Sequence, residues 1–241
     1  MLYGVAQLAG LDRSLVNDLD SLKIRDYVDN RLGMIWEKEL WPETMRFSSE
    51  AITTTSDIKH VDLAATVGSV IQVYSADPRI SVKVEHVPYF VAEDSSYTTG
   101  ERLIVLNNTD PVIMEYRLTR PMLTGAAYSA TATYSVNEQV YYENATYASS
   151  TPAGTGNFYT CAVATTAGED PLGTAASWTL AEIPYIFQNY LIRGALSDLR
   201  MAAGETEAAM IASRQADRAM EAEVDKLLRQ RHQKRQIQLI K

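Results

Sequence analysis

The N-terminal part of the chain repeats apolar residues at the spacing of a helix. Residues 11–41 are predicted to hold two helical pieces, and in the second the apolar residues recur at steps of three and four. Because a proline disfavours helical backbone in the residue before it, this helix is expected to end before Pro42. Its apolar stripe needs a packing partner and consists of Ile24, Tyr27, Val28, Leu32, Ile35, Trp36 and Leu40. The candidate N-caps are Asp12 or Ser14 for the first piece and Asp20 or Ser21 for the second.

From about residue 48 the apolar residues alternate with polar ones, which predicts β-strands. Two segments have the pattern of a hairpin, one around an Asp-Pro turn at 77–78 and one around Asn-Asn-Thr-Asp-Pro at 107–111. The prolines of this region fall where strands should end, which supports the segmentation. The apolar positions of the first hairpin are Val70 and Val73 before the turn and Ile80, Val82 and Val84 after it.

Residues 124–182 form a compositional island. The segment is rich in Ala, Thr, Ser, Gly and Tyr, and no Lys or Arg occurs between Arg120 and Arg193. Short alternating stretches within it predict strands at TATYSV, EQVYYE, FYTCAVA and SWTLAE. A small inserted β-module is the expected structure.

A helical period returns after the island. Pro184 suits the first turn of a helix, Gly204 is placed to end that helix in left-handed backbone, and a further helix begins near Thr206. The predicted class is α+β: a helical bundle formed by both chain ends, with β-hairpins or a β-sandwich inserted between helices, plus a small all-β insertion. The expected divisions are 1–47 (helices), 48–123 (β-rich), 124–182 (module), 183–228 (helices) and 229–241 (basic tail). The alanine-rich inner face of the last helix is Ala208, Ala209, Ala212, Ala216, Ala219, Met220, Val224, Leu227 and Leu228.

The charge of the chain is divided unevenly along its length. The 241 residues carry a net charge of −8, but residues 226–241 contain six Lys or Arg and no Asp or Glu, so the rest of the chain carries −14. An acidic body with a basic tail favours a docking contact over the wrapping of nucleic acid. With no apolar run of membrane-spanning length and an early Asp12, neither a membrane span nor a secretory signal is expected.

Motifs for catalysis or metal binding are not found in the sequence. The single Cys161 excludes an intramolecular disulfide framework and a cysteine-clustered zinc site, and His60, His86 and His232 have no metal-binding spacing. TPAGTGNFYT, with Gly154 and Gly156, lacks the third glycine of a nucleotide fingerprint and is interpreted as a surface turn. We therefore predict a protein that is not an enzyme, with no catalytic residue, cofactor or metal. A site built from scattered acids is the enzymatic alternative.

Two stretches resemble phage head-to-tail adaptor (connector) proteins. They are YV…L…IWE…WPE within residues 27–43 and YIF…YLIRGALSDL…GE…AA within residues 185–209. The resemblance covers residues 15–125 and 183–241 in organisation. It implies a helical bundle built from both ends and a homo-oligomeric ring, commonly twelvefold, between the portal protein and a tail-completion or tail-tube protein. It also implies a place in the neck of the virion, assembled in the host cytoplasm, with DNA passing through the lumen without sequence-specific binding.

The basic tail is where the resemblance places portal docking. The candidate docking residues are Arg229, Arg231, Lys234 and Arg235 as pairing groups and Ile237, Leu239 and Ile240 as apolar anchors. The alternation at Ile237 and Leu239 predicts an extended segment that adds to the partner's surface. A frayed, solvated helix end is the alternative for the same residues.

The island has a second resemblance, to small chitin-binding-type carbohydrate modules. It rests on the spacing of Tyr134, Val140-Tyr141-Tyr142, Tyr147 and Trp178, and it makes Tyr142, Tyr147 and Trp178 candidate sugar-contacting residues. Two features depart from that family: Asn137-Glu138 replaces the usual glycine-acid turn, and the leading tryptophan is absent. The aromatic residues can instead form the core of the module. The competing function is a tail or baseplate protein that binds a host glycan.

Overall fold

Helices occupy both ends of the chain and strands occupy its middle. The computed structural model describes residues 2–10, 18–55, 58–81, 83–93, 101–106, 111–142 and 156–238. The chain divides into two units: a helical unit made of Met1–Glu39 with Pro121–Lys241, and a β unit made of Leu40–Arg120. The predicted α+β class is confirmed. The module expected at 124–182 groups with the helices.

Four helices build the helical unit: α1 (Leu2–Leu8), α2 (Asp18–Lys38), α3 (Gln188–Ala202) and α4 (Thr206–Gln238). Helix α3 contacts each of the other three. As predicted, α2 ends before Pro42, and Gly204 follows α3 with a φ of 82°, a left-handed conformation that glycine adopts without steric cost. The first helical piece was predicted within 11–41 but the structure has a helix earlier, at Leu2–Leu8. Its proposed caps Asp12 and Ser14 lie outside the described residues.

Small residues let α3 and α4 approach each other closely. Ala209, Ala212 and Ala216 are buried on one face of α4, and the hydroxyl of Ser197 on α3 donates a hydrogen bond of 2.8 Å to the carbonyl of Ala209. The alanine face is therefore confirmed in the first part of α4. The prediction is wrong at Leu228, which is 42% exposed.

The β unit is a sandwich of two antiparallel sheets. One sheet has the order β1-β7-β4 and the other β2-β3-β6-β5. A core of aliphatic side chains from both sheets fills the space between them: Val61, Leu63, Val73, Val87, Leu103, Val105, Val112 and Met114. The strands are β1 (Met45–Glu50), β2 (Thr53–Thr55), β3 (Ile58–Asp62), β4 (Val67–Tyr74), β5 (Tyr89–Glu93), β6 (Glu101–Val105) and β7 (Val112–Leu118).

Both predicted hairpins are wrong in their pairing. After β4 the chain turns around Asp77, whose carboxylate accepts the backbone N–H of Arg79, and it returns to β4 only at residues 85–87. Ile80 is consequently exposed instead of forming a strand. Strands β6 and β7 belong to different sheets. Their apolar side chains meet across the core, whereas strands of one hairpin would lie side by side in one sheet.

The module contains one four-stranded sheet in the order β11-β10-β9-β8. Its strands are β8 (Ala126–Ala127), β9 (Gln139–Tyr142), β10 (Asn157–Cys161) and β11 (Trp178–Leu180). Three of the four expected strands are present, while the stretch TATYSV forms only a single bridge, between Tyr134 and Thr165. Asn137 takes the left-handed conformation, with a φ of 72°, that a glycine would have supplied in this turn.

Candidate functional site

Helix α4 is longer than the helix it packs against. The two helices run antiparallel, because Ser197 bonds to Ala209 and the Arg193 side chain bonds to that of Gln215. Helix α3 has 15 residues and α4 has 33, so α4 continues past the start of α3. Leu227 is the last buried side chain of α4 among those described, and the side chains of residues 228–230 are exposed. We name residues 228–238 the basic end of α4; it is about 16 Å long.

The predicted docking residues lie mainly on this basic end. Arg229, Arg231, Lys234, Arg235 and Ile237 are on α4, and the Arg229 side chain is exposed. Leu239 and Ile240 lie outside the described residues.

The extended conformation predicted for the tail is wrong up to Gln238. The backbone there continues α4. Gln, Lys and Arg are good helix formers, and adding a residue to an existing helix requires no new nucleation. The alternation of only two apolar residues, Ile237 and Leu239, is too weak a pattern to predict an extended segment against the continuation of the helix.

The electrostatics of the basic end favour an acidic partner. Asp225 is the last acidic residue of the chain, and five Lys or Arg follow it up to Gln238. Positive charge in the last turns of a helix is stabilised by the partial negative charge of the helix C-terminus. Lys226 donates a hydrogen bond of 2.6 Å to the carboxylate of Glu223, one turn back on α4. A cationic helix of this kind can enter a groove lined by carboxylates.

The aromatic residues of the module form its core. Trp178 is buried; its ring lies edge-on to Tyr134, with centroids 5.4 Å apart, and its Nε1 donates a hydrogen bond to the carbonyl of Glu169. Val140 and Cys161 complete the buried cluster, and burial raises the pKa of the Cys161 thiol. Because Trp178 is buried among these groups, the expectation that its face is available for stacking on a sugar ring is corrected.

Tyr142 is half-buried and makes polar as well as aromatic contacts. Its ring lies edge-on to Tyr128 at 5.2 Å, and its hydroxyl donates a hydrogen bond to the Asp170 carboxylate. Burial and this carboxylate raise the pKa of Tyr142. Hydrogen bonds from the backbone N–H groups of Gly173, which has the larger effect, and of Leu172 lower the pKa of Asp170. The Asp170 carboxylate thereby holds the loop at residues 170–173. Tyr147, the third candidate for sugar contact, lies outside the described residues.

Polar residues on α2 attach the module to the helices. Arg25 donates to the carbonyl of Thr124 at 2.6 Å, and the Asp29 carboxylate accepts the N–H of Leu123 at 2.8 Å. From the other side, the Gln139 amide accepts the N–H of Thr124 and donates to the carbonyl of Met122. None of these residues belongs to a motif or to an apolar pattern of the sequence. The spacing of Arg25 and Asp29, four apart on one helix face, is the only signal they have in the sequence.

A groove of about 470 Å³ lies between α2 and α3. Its polar part is an ion pair: Arg31 donates two hydrogen bonds, of 2.8 and 2.6 Å, to the two carboxylate oxygens of Asp198. These hydrogen bonds raise the pKa of Arg31 above its ordinary value, so the guanidinium stays charged. The apolar part of the groove includes Tyr27, Met34 and Met201.

Other classes of site are not found in the part of the chain that the structure describes. Its His, Cys, Asp and Glu side chains form no group of three that could hold a metal ion. Of the described helices, none is long and apolar enough to cross a membrane. No protein-family model matches the chain, and no curated protein matches it either.

Proposed function

We propose that this protein is a structural subunit of the head-to-tail adaptor of a tailed bacteriophage. Copies of the chain form a ring, commonly of twelve, between the portal protein and the tail-completion or tail-tube protein. DNA passes through the lumen of the ring without sequence-specific contacts. The protein is a component of the virion neck, is assembled in the host cytoplasm, and acts without catalysis.

The single observation that carries this proposal is the basic end of α4. It continues a helix anchored in a unit that both chain ends build, and it extends beyond the buried part of that helix. A neck subunit must hold a partner above it while remaining folded itself. A helix that is fixed by Ala209, Ala212 and Ala216 at one end, and that is exposed at residues 228–230 and basic in sequence at the other, meets both requirements.

The charge distribution supports the proposed lumen. Residues 1–225 carry −14 and residues 226–241 carry +6. An acidic lumen repels the DNA phosphates and lets the duplex slide, whereas a basic lumen binds it through release of counterions. The only net positive segment is the one that docks, residues 226–241.

The test is binding of the full chain and of four variants to the cognate portal protein. Deleting residues 229–241 should leave the helical unit folded and weaken portal binding roughly 100-fold, because two or three buried apolar side chains are lost with the charges. Reversing the charge of Arg231, Lys234 and Arg235 should weaken binding less and in a salt-dependent way, since partly exposed pairs are screened.

A matched pair of variants tests whether docking needs the helix. Gln233→Pro removes a helical hydrogen bond at a cost of about 3 kcal/mol, whereas Gln233→Ala keeps the helix. We expect only the proline variant to lose portal binding. Unchanged affinity in the truncated protein would overturn the proposal. Binding of a host glycan by the full chain, together with no affinity for the portal, would favour a tail or baseplate protein.

A further inference from the structure

The four-stranded sheet of the β unit ends in two strands that run in opposite directions. Its order is β2-β3-β6-β5 and every neighbouring pair is antiparallel, so the edge strands β2 and β5 point opposite ways. When a second copy is placed beside the first by rotation about an axis along the strands, its β2 lies antiparallel to β5 of the first copy. Copies related in this way continue one antiparallel sheet. The edges of the three-stranded sheet, β1 and β4, run in the same direction, so the same rotation would bring them together in parallel.

The three-stranded sheet protects its edges in ways that natural sheets use. Strand β1 carries the exposed Arg46, and a charged side chain on an edge strand opposes pairing with another chain. Two register shifts interrupt the pairing of β4 with β7, and irregularities of this kind twist an edge away from a partner. The end of β4 is also covered, because Val87 donates its N–H to the carbonyl of Val73.

The four-stranded sheet has edges without these protections. The sequences of β2 (Thr53–Thr55) and β5 (Tyr89–Glu93) contain no Lys, Arg or Pro, and among the described residues each strand pairs with one neighbour only. Phe90 is 50% exposed and Val91 44% exposed, although neighbours on a strand point to opposite faces. An apolar edge strand that is exposed on both faces is suited to pairing with another strand.

The backbone hydrogen bonds show which residues of the two edges face outward. The carbonyl of Pro88 accepts the N–H of Leu106, in agreement with the register of β5 and β6. Because the bonded positions alternate along an antiparallel pair, Val91, three residues further on, directs its N–H and C=O away from β6. The same alternation, followed through β6 and β3, directs the N–H and C=O of Thr54 away from β3.

Val91 and Thr54 also belong to the same face of the sheet. Val91 lies opposite Leu103, a residue of the sandwich core. Thr54 lies opposite Lys59, which is two residues before the core residue Val61 and therefore on the core side. Residues that pair across two strands must share a face, and these two do.

We propose that β5 of one copy pairs with β2 of a second copy, so that the four-stranded sheets of neighbouring copies join edge to edge. Val91 then exchanges two backbone hydrogen bonds with Thr54 of the next copy, and Ala92 lies opposite Thr53. Threonine is β-branched and suits a cross-strand pair with valine. The contact joins two different surfaces, and contacts of this kind close into rings when the rotation between copies allows it. The proposal rests on the adaptor function for the choice of a ring, and it names the surface that joins the subunits.

Disulfide cross-linking tests the contact and its register. Ala92 and Thr53 would form a pair without backbone hydrogen bonds, whose Cα atoms lie about 4.5 Å apart, within the range that a disulfide spans. Within one copy they lie at opposite edges of the sheet, three strand spacings or about 14 Å apart, so a disulfide can form only between copies. The single native cysteine, Cys161, is buried.

The full chain carrying Ala92→Cys and Thr53→Cys is oxidised under mild conditions, at high concentration and on the cognate portal protein. We expect a ladder of covalent oligomers that a reducing agent removes, and a dimer when the two single variants are mixed. The control combines Ala92→Cys with Ser49→Cys, which places the second cysteine at an exposed position of β1, on the other sheet.

Proline variants test whether the contact is made by the backbone. Val91→Pro and Thr54→Pro each remove an N–H that points away from the neighbouring strand, so the hydrogen bonds inside the sheet are kept, and edge strands tolerate proline at such positions. We expect both variants to remain folded by circular dichroism and to lose the ladder in the double-cysteine background. Val91→Thr keeps the N–H and a β-branched side chain, and it should retain the ladder.

Three results would overturn the contact. The first is a ladder no stronger than that of the Ser49 control, the second is an undiminished ladder in the folded proline variants, and the third is a covalent dimer from Ala92→Cys alone, which indicates that β5 pairs with itself. If the portal is not bound but the ladder forms, the adaptor function fails and the contact stands. If the portal is bound and no ladder forms, the contact fails alone.

Discussion

The two β regions of this protein reach stability by different means. The sandwich of the β unit buries eight aliphatic side chains between two sheets. The sheet of the module buries Val140, Cys161 and Trp178 in one cluster surrounded by tyrosines, and it buries Tyr141 and Phe158 outside that cluster. One core is a layer of aliphatic side chains, and the other is largely aromatic.

This difference explains why the module is fastened to α2. A small sheet with three buried residues in its cluster gains little from apolar burial, and domains of such size need additional support. Hydrogen bonds between α2 and residues 123–125 supply that support: Arg25 donates to the carbonyls of Thr124 and Gly125, and the Asp29 carboxylate accepts the N–H of Leu123. Tyr134, Tyr142 and Trp178, which carry part of the carbohydrate-module resemblance, make aromatic contacts within the fold of the module.

The largest effect is expected from Trp178→Ala. Removing a buried tryptophan costs about 3–5 kcal/mol. Because so few other residues share the core, we expect the module alone to open, which hydrogen exchange would detect as lost protection over residues 157–180 with α3 unchanged. Trp178→Phe is the control and should retain most of the protection. Full protection of the alanine variant would show that the ring is not the centre of the core.

A smaller effect is expected from Leu103→Ala in the sandwich. Leu103 is fully buried among seven other aliphatic core residues, and the substitution should lower the free energy of unfolding by about 2–5 kcal/mol, with part of the cavity filled by relaxation. Chemical denaturation would measure it. Leu180→Ala, at a 43% exposed position of the module, is the matched control and should change stability by about 0.5 kcal/mol or less. Equal losses in the two variants would contradict the description of the sandwich core.

The smallest of the three effects is expected from Asp29→Ala. This change leaves the N–H of the buried Leu123 without its acceptor, at a cost of about 1–3 kcal/mol. Lys23→Ala on the same helix removes an exposed charged side chain and should be nearly neutral. Thermal unfolding followed at the module would separate the two variants, and equal melting temperatures would show that the attachment to α2 does not depend on Asp29.

Helices α2 and α3 and the first part of α4 were predictable from the sequence because local patterns determine them. The three-and-four spacing from Ile24 to Trp36, and Gly204 before Thr206, define elements without reference to the rest of the chain. Strand pairing is different, because alternation tells which side of a strand is apolar and not which strand lies beside it. For that reason β6 and β7, close in sequence, were assigned to one hairpin but lie in two sheets.

The candidate site was predictable in composition but not in conformation. The basic residues from Arg229 to Arg235 are evident in the sequence, whereas their helical backbone depends on the continuation of α4. The exposure of an aromatic residue likewise depends on the whole fold. Trp178 and Tyr142 were both named from the spacing of aromatic residues in the island, yet Trp178 is buried and Tyr142 is half-buried. The groove at Met34 and Met201 joins residues far apart in the chain and has no local signal.

The length of α4 sets both the distance of its basic end from the start of the helix and the direction in which that end points. One unbroken helix carries the buried Ala209 near its start and the basic end near its finish, and the 29 steps from 209 to 238 set a spacing of about 44 Å between them. Each residue added or removed between Ala216 and Leu228 would change that spacing by about 1.5 Å but would turn the basic end by about 100° around the helix axis. The number of residues in this stretch, more than their identity, therefore determines the direction in which the positive charge points.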